Sequence, residues 1–181
     1  MFAAVVFMFC RITIVLLFLF SSASKALDLR DFVVTIGDFK LLPRRWSKTA
    51  AWLFLGSEIT AAVLILLGGN VLSLGFLLAT ALLVTFSLAL GMALRRNISM
   101  SCNCFGRTER RISYYDLARN GVLILCTVLG LCLCNTAPQN LAISEIIVLV
   151  LMSVVFLLFV MNLREIVAAL RHPFPVFEER R

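Results

Sequence analysis

Two thiols separated by one residue are the part of this sequence best suited to chemistry, in the run Ser101-Cys102-Asn103-Cys104-Phe105-Gly106-Arg107. A disulfide across so short a spacing closes a small, strained ring, and strained disulfides are reduced more readily than structural ones. Arg95, Arg96, Arg107, Arg110 and Arg111 surround the pair in sequence. Nearby cations favour the thiolate, which is the form that attacks and is attacked. The pattern suits thiol–disulfide exchange, and the plainer alternative is a pair of reduced surface cysteines in a tight turn. A metal site would need ligands from a partner, because no His, Asp or further Cys in the loop completes one. No metal and no cofactor is expected.

The other four cysteines (Cys10, Cys126, Cys132 and Cys134) lie in apolar runs, where a free Cys ordinarily packs as a small hydrophobe. Cys132 and Cys134 end one such run, with Cys10 near the same membrane side, so a second thiol station there is conceivable. Residues two apart on an intact helix point to different faces, so Cys132 and Cys134 pair only if the helix has frayed. Charges within apolar spans usually face one another or a cavity. Glu58 and Arg119 fall about 12 Å and 9 Å into their spans at 1.5 Å per residue, which predicts a mutual clamp between two helices. Arg11 has no obvious partner; snorkelling or a contact with Glu58 would satisfy it.

The elements that must position these residues are membrane spans. The chain has 181 residues, 61% of them apolar and 15% charged, with a mean hydropathy of +1.01. A soluble domain of this size cannot hide so much apolar surface, which excludes an ordinary cytosolic enzyme, a disordered chain and a soluble nucleic-acid binder. Five stretches reach the roughly 20 apolar residues that cross a bilayer as a helix: Ala3 to Ala23, Ala50 to Leu67, Val71 to Leu94, Tyr114 to Cys134 and Ser144 to Leu163. The expected fold is all-α, a polytopic helical bundle forming one integral membrane domain over 1–181. The first stretch resembles a secretory signal, with Ser21 to Ala26 as a small-residue cleavage region, but it has no basic residue before Arg11 and its apolar run is too long, so it reads as a transmembrane helix. Leu27 to Thr49 mixes charges with apolar residues as an interfacial amphipathic segment does, with a break before Pro43 and Trp46 as a headgroup anchor. Ser113 has the spacing of an N-cap to Asp116. Asn162 to His172 continues the last span as an amphipathic helix in a tail over Arg164 to Arg181.

The basic residues choose a side. Lys25, Arg30, Lys40, Arg44, Arg45 and Lys48, the five loop arginines, and Arg164, Arg171, Arg180 and Arg181 all fall on one side. The connections Gly68-Gly69-Asn70 and Asn135 to Ile143 carry no Lys or Arg. By the positive-inside rule the N-terminus is outside, and the C-terminus and the cysteine loop are cytoplasmic. The formal charge of +7 thus reports topology rather than nucleic-acid binding, and lipid is the expected surround.

A set of ordered landmarks resembles the MauE branch of the MauE/DoxX family: Leu42-Pro43 after a basic segment, Glu58, Gly91, the C-x-C-F-G loop (Cys102, Cys104, Phe105, Gly106) and Arg119-Asn120. Asn103 stands where many members have Gly, and Asn also tolerates turn conformations. The resemblance implies a multi-pass membrane protein of thiol redox chemistry, in which Cys102 and Cys104 react and Asn103, Phe105, Gly106, Glu58, Arg119 and Asn120 support them. It further implies a thioredoxin-like partner and an exported client protein, as in maturation of the disulfide-rich subunit of methylamine dehydrogenase. Methylamine metabolism itself does not follow for this chain. Such maturation occurs outside the cytoplasm, so either the pair passes electrons outward or the topology is inverted. The rival functions are a non-catalytic membrane scaffold and a DoxX-like quinone-binding or oxidase-associated subunit.

Overall fold

A computed structural model describes residues 2–38, 43–95, 114–134, 142–163 and 165–167. It contains six α-helices: α1 (Phe2–Leu27), α2 (Leu29–Asp38), α3 (Arg44–Leu67), α4 (Leu72–Arg95), α5 (Tyr114–Leu133) and α6 (Ile143–Met161). Five of them, all but α2, are long and apolar enough to cross a membrane. No strand occurs among the described residues. The protein is an all-α helical bundle with five candidate spans. Backbone groups in lipid must be satisfied within the segment, which is the physical reason such apolar runs become helices.

The helix ends follow from local chemistry. Pro43 sits at the N-cap of α3 and its carbonyl accepts from the Trp46 amide at 2.9 Å; the fixed φ of proline suits a helix start. α3 therefore begins six residues before the span expected from hydropathy alone. It stops at Gly68, whose φ of +71° is left-handed and favours glycine. A short 3₁₀ turn at Gly69–Val71 then feeds α4, making α3 and α4 an antiparallel hairpin. At α6, Glu145 Oε2 accepts from the Ala142 amide at 3.1 Å and satisfies one donor of the first turn. α6 ends at Met161, and Asn162 follows in a turn. Helix returns at 165–167, and the rest of the expected tail helix lies outside the described residues, as does Ser113.

Helix α1 is the hub. It packs on α3, α5 and α6, while α3 packs on α4 and α4 on α5, so α1, α3, α4 and α5 close a four-helix ring with α6 outside it. Phe7, Ile14 and Leu17 of α1, Ile65 of α3, Phe76 of α4 and Leu123 of α5 are fully buried within it. Lipid is as apolar as these side chains, so close packing rather than water exclusion must hold the ring. Gly130 shows it: a Cβ there would overlap the Phe76 ring, so α5 comes onto α4 only because Gly130 has none. α6 is tied to α1 by a buried hydrogen bond from Thr13 Oγ1 to Ser153 Oγ at 3.1 Å and by the edge contact of Phe9 with Phe156. Leu53, Leu67, Leu151 and Val155 point outward, as lipid-facing residues do.

Candidate functional site

The polar residues of the bundle meet near the end of α1. Lys25 and Ser21 lie one turn apart on α1, and both face Glu58 of α3. Lys25 Nζ is 2.5 Å from Glu58 Oε1 and donates to Ser21 Oγ at 2.9 Å; Ser21 Oγ donates to the same carboxylate oxygen at 3.2 Å. Lys25 and Glu58 are each only 3% exposed. The ammonium also stands over the rings of Phe54 and Phe32, at 4.6 Å and 5.2 Å from their centroids. Aromatic faces replace part of its hydration. Glu58 Oε2 is buried with no hydrogen-bond partner among the described residues.

Asn120, 1% exposed, reaches the same region from α5 and donates to Ser87 Oγ of α4 at 3.2 Å. Ser21, Lys25, Glu58 and Asn120 share with apolar neighbours the wall of a cavity of about 20 Å³. A water needs roughly 10–15 Å³ measured this way, so the space is of water size and far too small for a quinone ring.

The expected clamp between Glu58 and Arg119 is corrected by this geometry. The charge that answers Glu58 is Lys25, and Arg119 instead has Asp116, one turn earlier on α5, at 3.9 Å. Lys25 was missed because it reads as one of the basic residues outside the first span, whereas α1 continues to Leu27 and carries it into the bundle. The signal that identifies it is the i, i+4 pair Ser21/Lys25 at the span's end. Arg11 does not pair with Glu58: its Nε and Nη2 donate to the carbonyls of Ile65 and Leu66 at 3.1 Å and 3.0 Å. Those carbonyls end α3, where unsatisfied acceptors and the helix dipole attract a cation.

The remaining thiols separate by helix face. Cys132 is exposed, and Cys134 is buried with its Sγ donating to the Leu131 carbonyl at 3.0 Å. α5 runs unbroken to Leu133. Cys10 of α1 and Cys126 of α5 are instead side-chain neighbours within the core. Cys102, Asn103, Cys104, Phe105 and Gly106 lie outside the described residues, between the end of α4 and the start of α5.

Residues 3–133 match the family model described as methylamine utilisation protein MauE. The chain belongs to the MauE family. That match runs from the start of α1 to the end of α5, so it spans the entire four-helix ring and omits α6. Membership associates this MauE-family chain with methylamine utilisation, and its five apolar helices make it a multi-pass membrane protein. No match was found among the curated proteins or the solved structures. Two MauE landmarks read from the sequence, Glu58 and Asn120, come from different helices to wall one cavity.

Proposed function

We propose that the chain is a membrane component of thiol–disulfide exchange, with Cys102 and Cys104 as the reacting pair, a thioredoxin-like protein as partner and the maturation of an exported protein as outcome. The observation that carries this reading is the C-x-C-F-G loop, followed by Arg119-Asn120, in a chain of the MauE family. In the exchange, one thiolate of the pair attacks the partner's disulfide, forming a mixed disulfide and releasing one partner thiolate. The second cysteine then attacks its neighbour's sulfur in that bond. The pair ends as a disulfide and the partner as a dithiol, two electrons and two protons having moved to the partner; the reverse sequence restores the start.

In this reading the Lys25–Glu58 cluster and Asn120 are positioning residues. They lock α1, α3, α4 and α5 together at the end of the bundle where the sequence between α4 and α5 emerges. A water-sized cavity gives the quinone-binding alternative no support. The scaffold alternative draws support from the same buried ion pair, which by itself explains why Glu58 is charged. Replacing both Cys102 and Cys104 by Ser separates the two. Under the exchange reading the exported client's thiol–disulfide state departs from that made with the parent chain, read by alkylation of its free thiols; an unchanged thiol count in the double variant would leave the scaffold reading.

A further inference from the structure

Helix α2 and the first turns of α3 enclose a groove of about 300 Å³, lined by Leu29, Arg30 and Val33 from one helix and Lys48 and Trp52 from the other. The spacing builds it: Leu29 and Arg30 lie four and three residues before Val33, on one face of α2, and Lys48 lies four before Trp52 on α3. Two cations are thereby held beside an apolar wall. Asp28 and Asp31 flank Arg30 in sequence but do not line the groove. Arg30 and Lys48 are exposed and form no ion pair among the described residues, whereas Lys25 pairs with Glu58, Arg119 with Asp116, and Arg11 donates to the carbonyls that end α3.

The groove's place in the membrane says what fits it. α2 leaves α1 directly after its last apolar turn, and α3 enters the bundle beside it, so Arg30 and Lys48 stand at headgroup depth while Trp52 lies a turn deeper. Cations at that depth over an apolar, aromatic wall match a phosphate joined to an acyl chain. A zwitterionic lipid brings its own cation against Arg30 and Lys48; a net anionic lipid does not. We propose that this groove is a binding site for an anionic phospholipid, its phosphate between Arg30 and Lys48 and one acyl chain along Trp52. The site is independent of the thiol chemistry proposed above.

The chain's two tryptophans make the test direct. The full chain carrying Trp46→Phe leaves Trp52 as the reporter, reconstituted in phosphatidylcholine vesicles with a minor fraction of brominated phosphatidylglycerol or, separately, brominated phosphatidylcholine. Brominated phosphatidylglycerol is expected to quench Trp52 more strongly, corresponding to an affinity preference that falls by up to about fivefold for each of Arg30→Gln and Lys48→Gln. The charge-conserving pair Arg30→Lys with Lys48→Arg, which guards against loss of fold, is expected to keep the preference. Equal quenching by the two lipids would overturn the site. So would a preference that survives both Gln substitutions, or one equally large at Trp46 in the Trp52→Phe chain, since either reports general surface charge.

Discussion

Glu58 and Lys25 are a buried ion pair in the least forgiving solvent a protein meets. Removing one partner leaves a charge that the interior cannot hydrate, at a cost of about 3–5 kcal/mol, while replacing both by apolar residues of similar volume is far milder. Glu58→Gln is therefore expected to destabilise the chain strongly in a lipid or detergent unfolding assay, and Lys25→Met with Glu58→Leu to recover most of the loss. A double-mutant cycle between Glu58 and Arg119 should show additivity within about 0.5 kcal/mol, because the two residues have different partners. Strong coupling in that cycle would contradict the pairing. A charge in each of two spans was legible in the sequence; the identity of the partner was not. Lys25 is chemically the same whether it ends a helix inside the bundle or begins a loop, and only the extra turn of α1 past Ala23 decides. Arg11 was less legible still, because its acceptors are backbone carbonyls that every residue possesses.

At the scale of elements, five long apolar helices were readable from hydropathy, since lipid tolerates nothing but satisfied backbone, while their ends differ from the apolar stretches by up to six residues, as at the start of α3. Their neighbours in the ring were not readable, because packing between apolar helices depends on shape and not on composition. Gly130 is the clearest instance. Nothing in its apolar surroundings marks it, yet it admits Phe76. Gly130→Ala is expected to separate α4 from α5 and destabilise by about 1–3 kcal/mol, as overpacking does. Phe76→Leu in the same chain should relieve part of that cost, measured by thermal unfolding in one detergent. Cys132 and Cys134 belong to the same scale. α5 is unbroken through Cys132 to Leu133, leaving Cys132 exposed and Cys134, in the turn that follows, buried against the Leu131 carbonyl, so mild oxidation of a chain holding only these two thiols should yield no internal disulfide, counted by alkylation and mass.

For the whole molecule, the described basic residues Lys25, Arg30, Arg45, Lys48, Arg95 and Arg119 fall toward the end of the bundle opposite Gly68, where Arg11 alone among them reaches the carbonyls that close α3. If that asymmetry sets the topology, single cysteines at Asn135 and at Arg181 in a cysteine-free chain should be labelled differently in intact cells by an impermeant reagent: the first modified, the second spared. The reverse pattern would put the Cys102/Cys104 loop outside, on the side where exported proteins mature. The exchange proposed for that loop needs both thiols, one to join the partner and one to release it, so a chain with a single cysteine of the pair must stall as a mixed disulfide. The most direct measurement is to express Cys102→Ser and Cys104→Ser separately, quench with acid and an alkylating agent, and run non-reducing gels. A partner adduct held by the surviving cysteine, and lost on reduction, is the predicted result; no adduct in either variant would contradict the exchange.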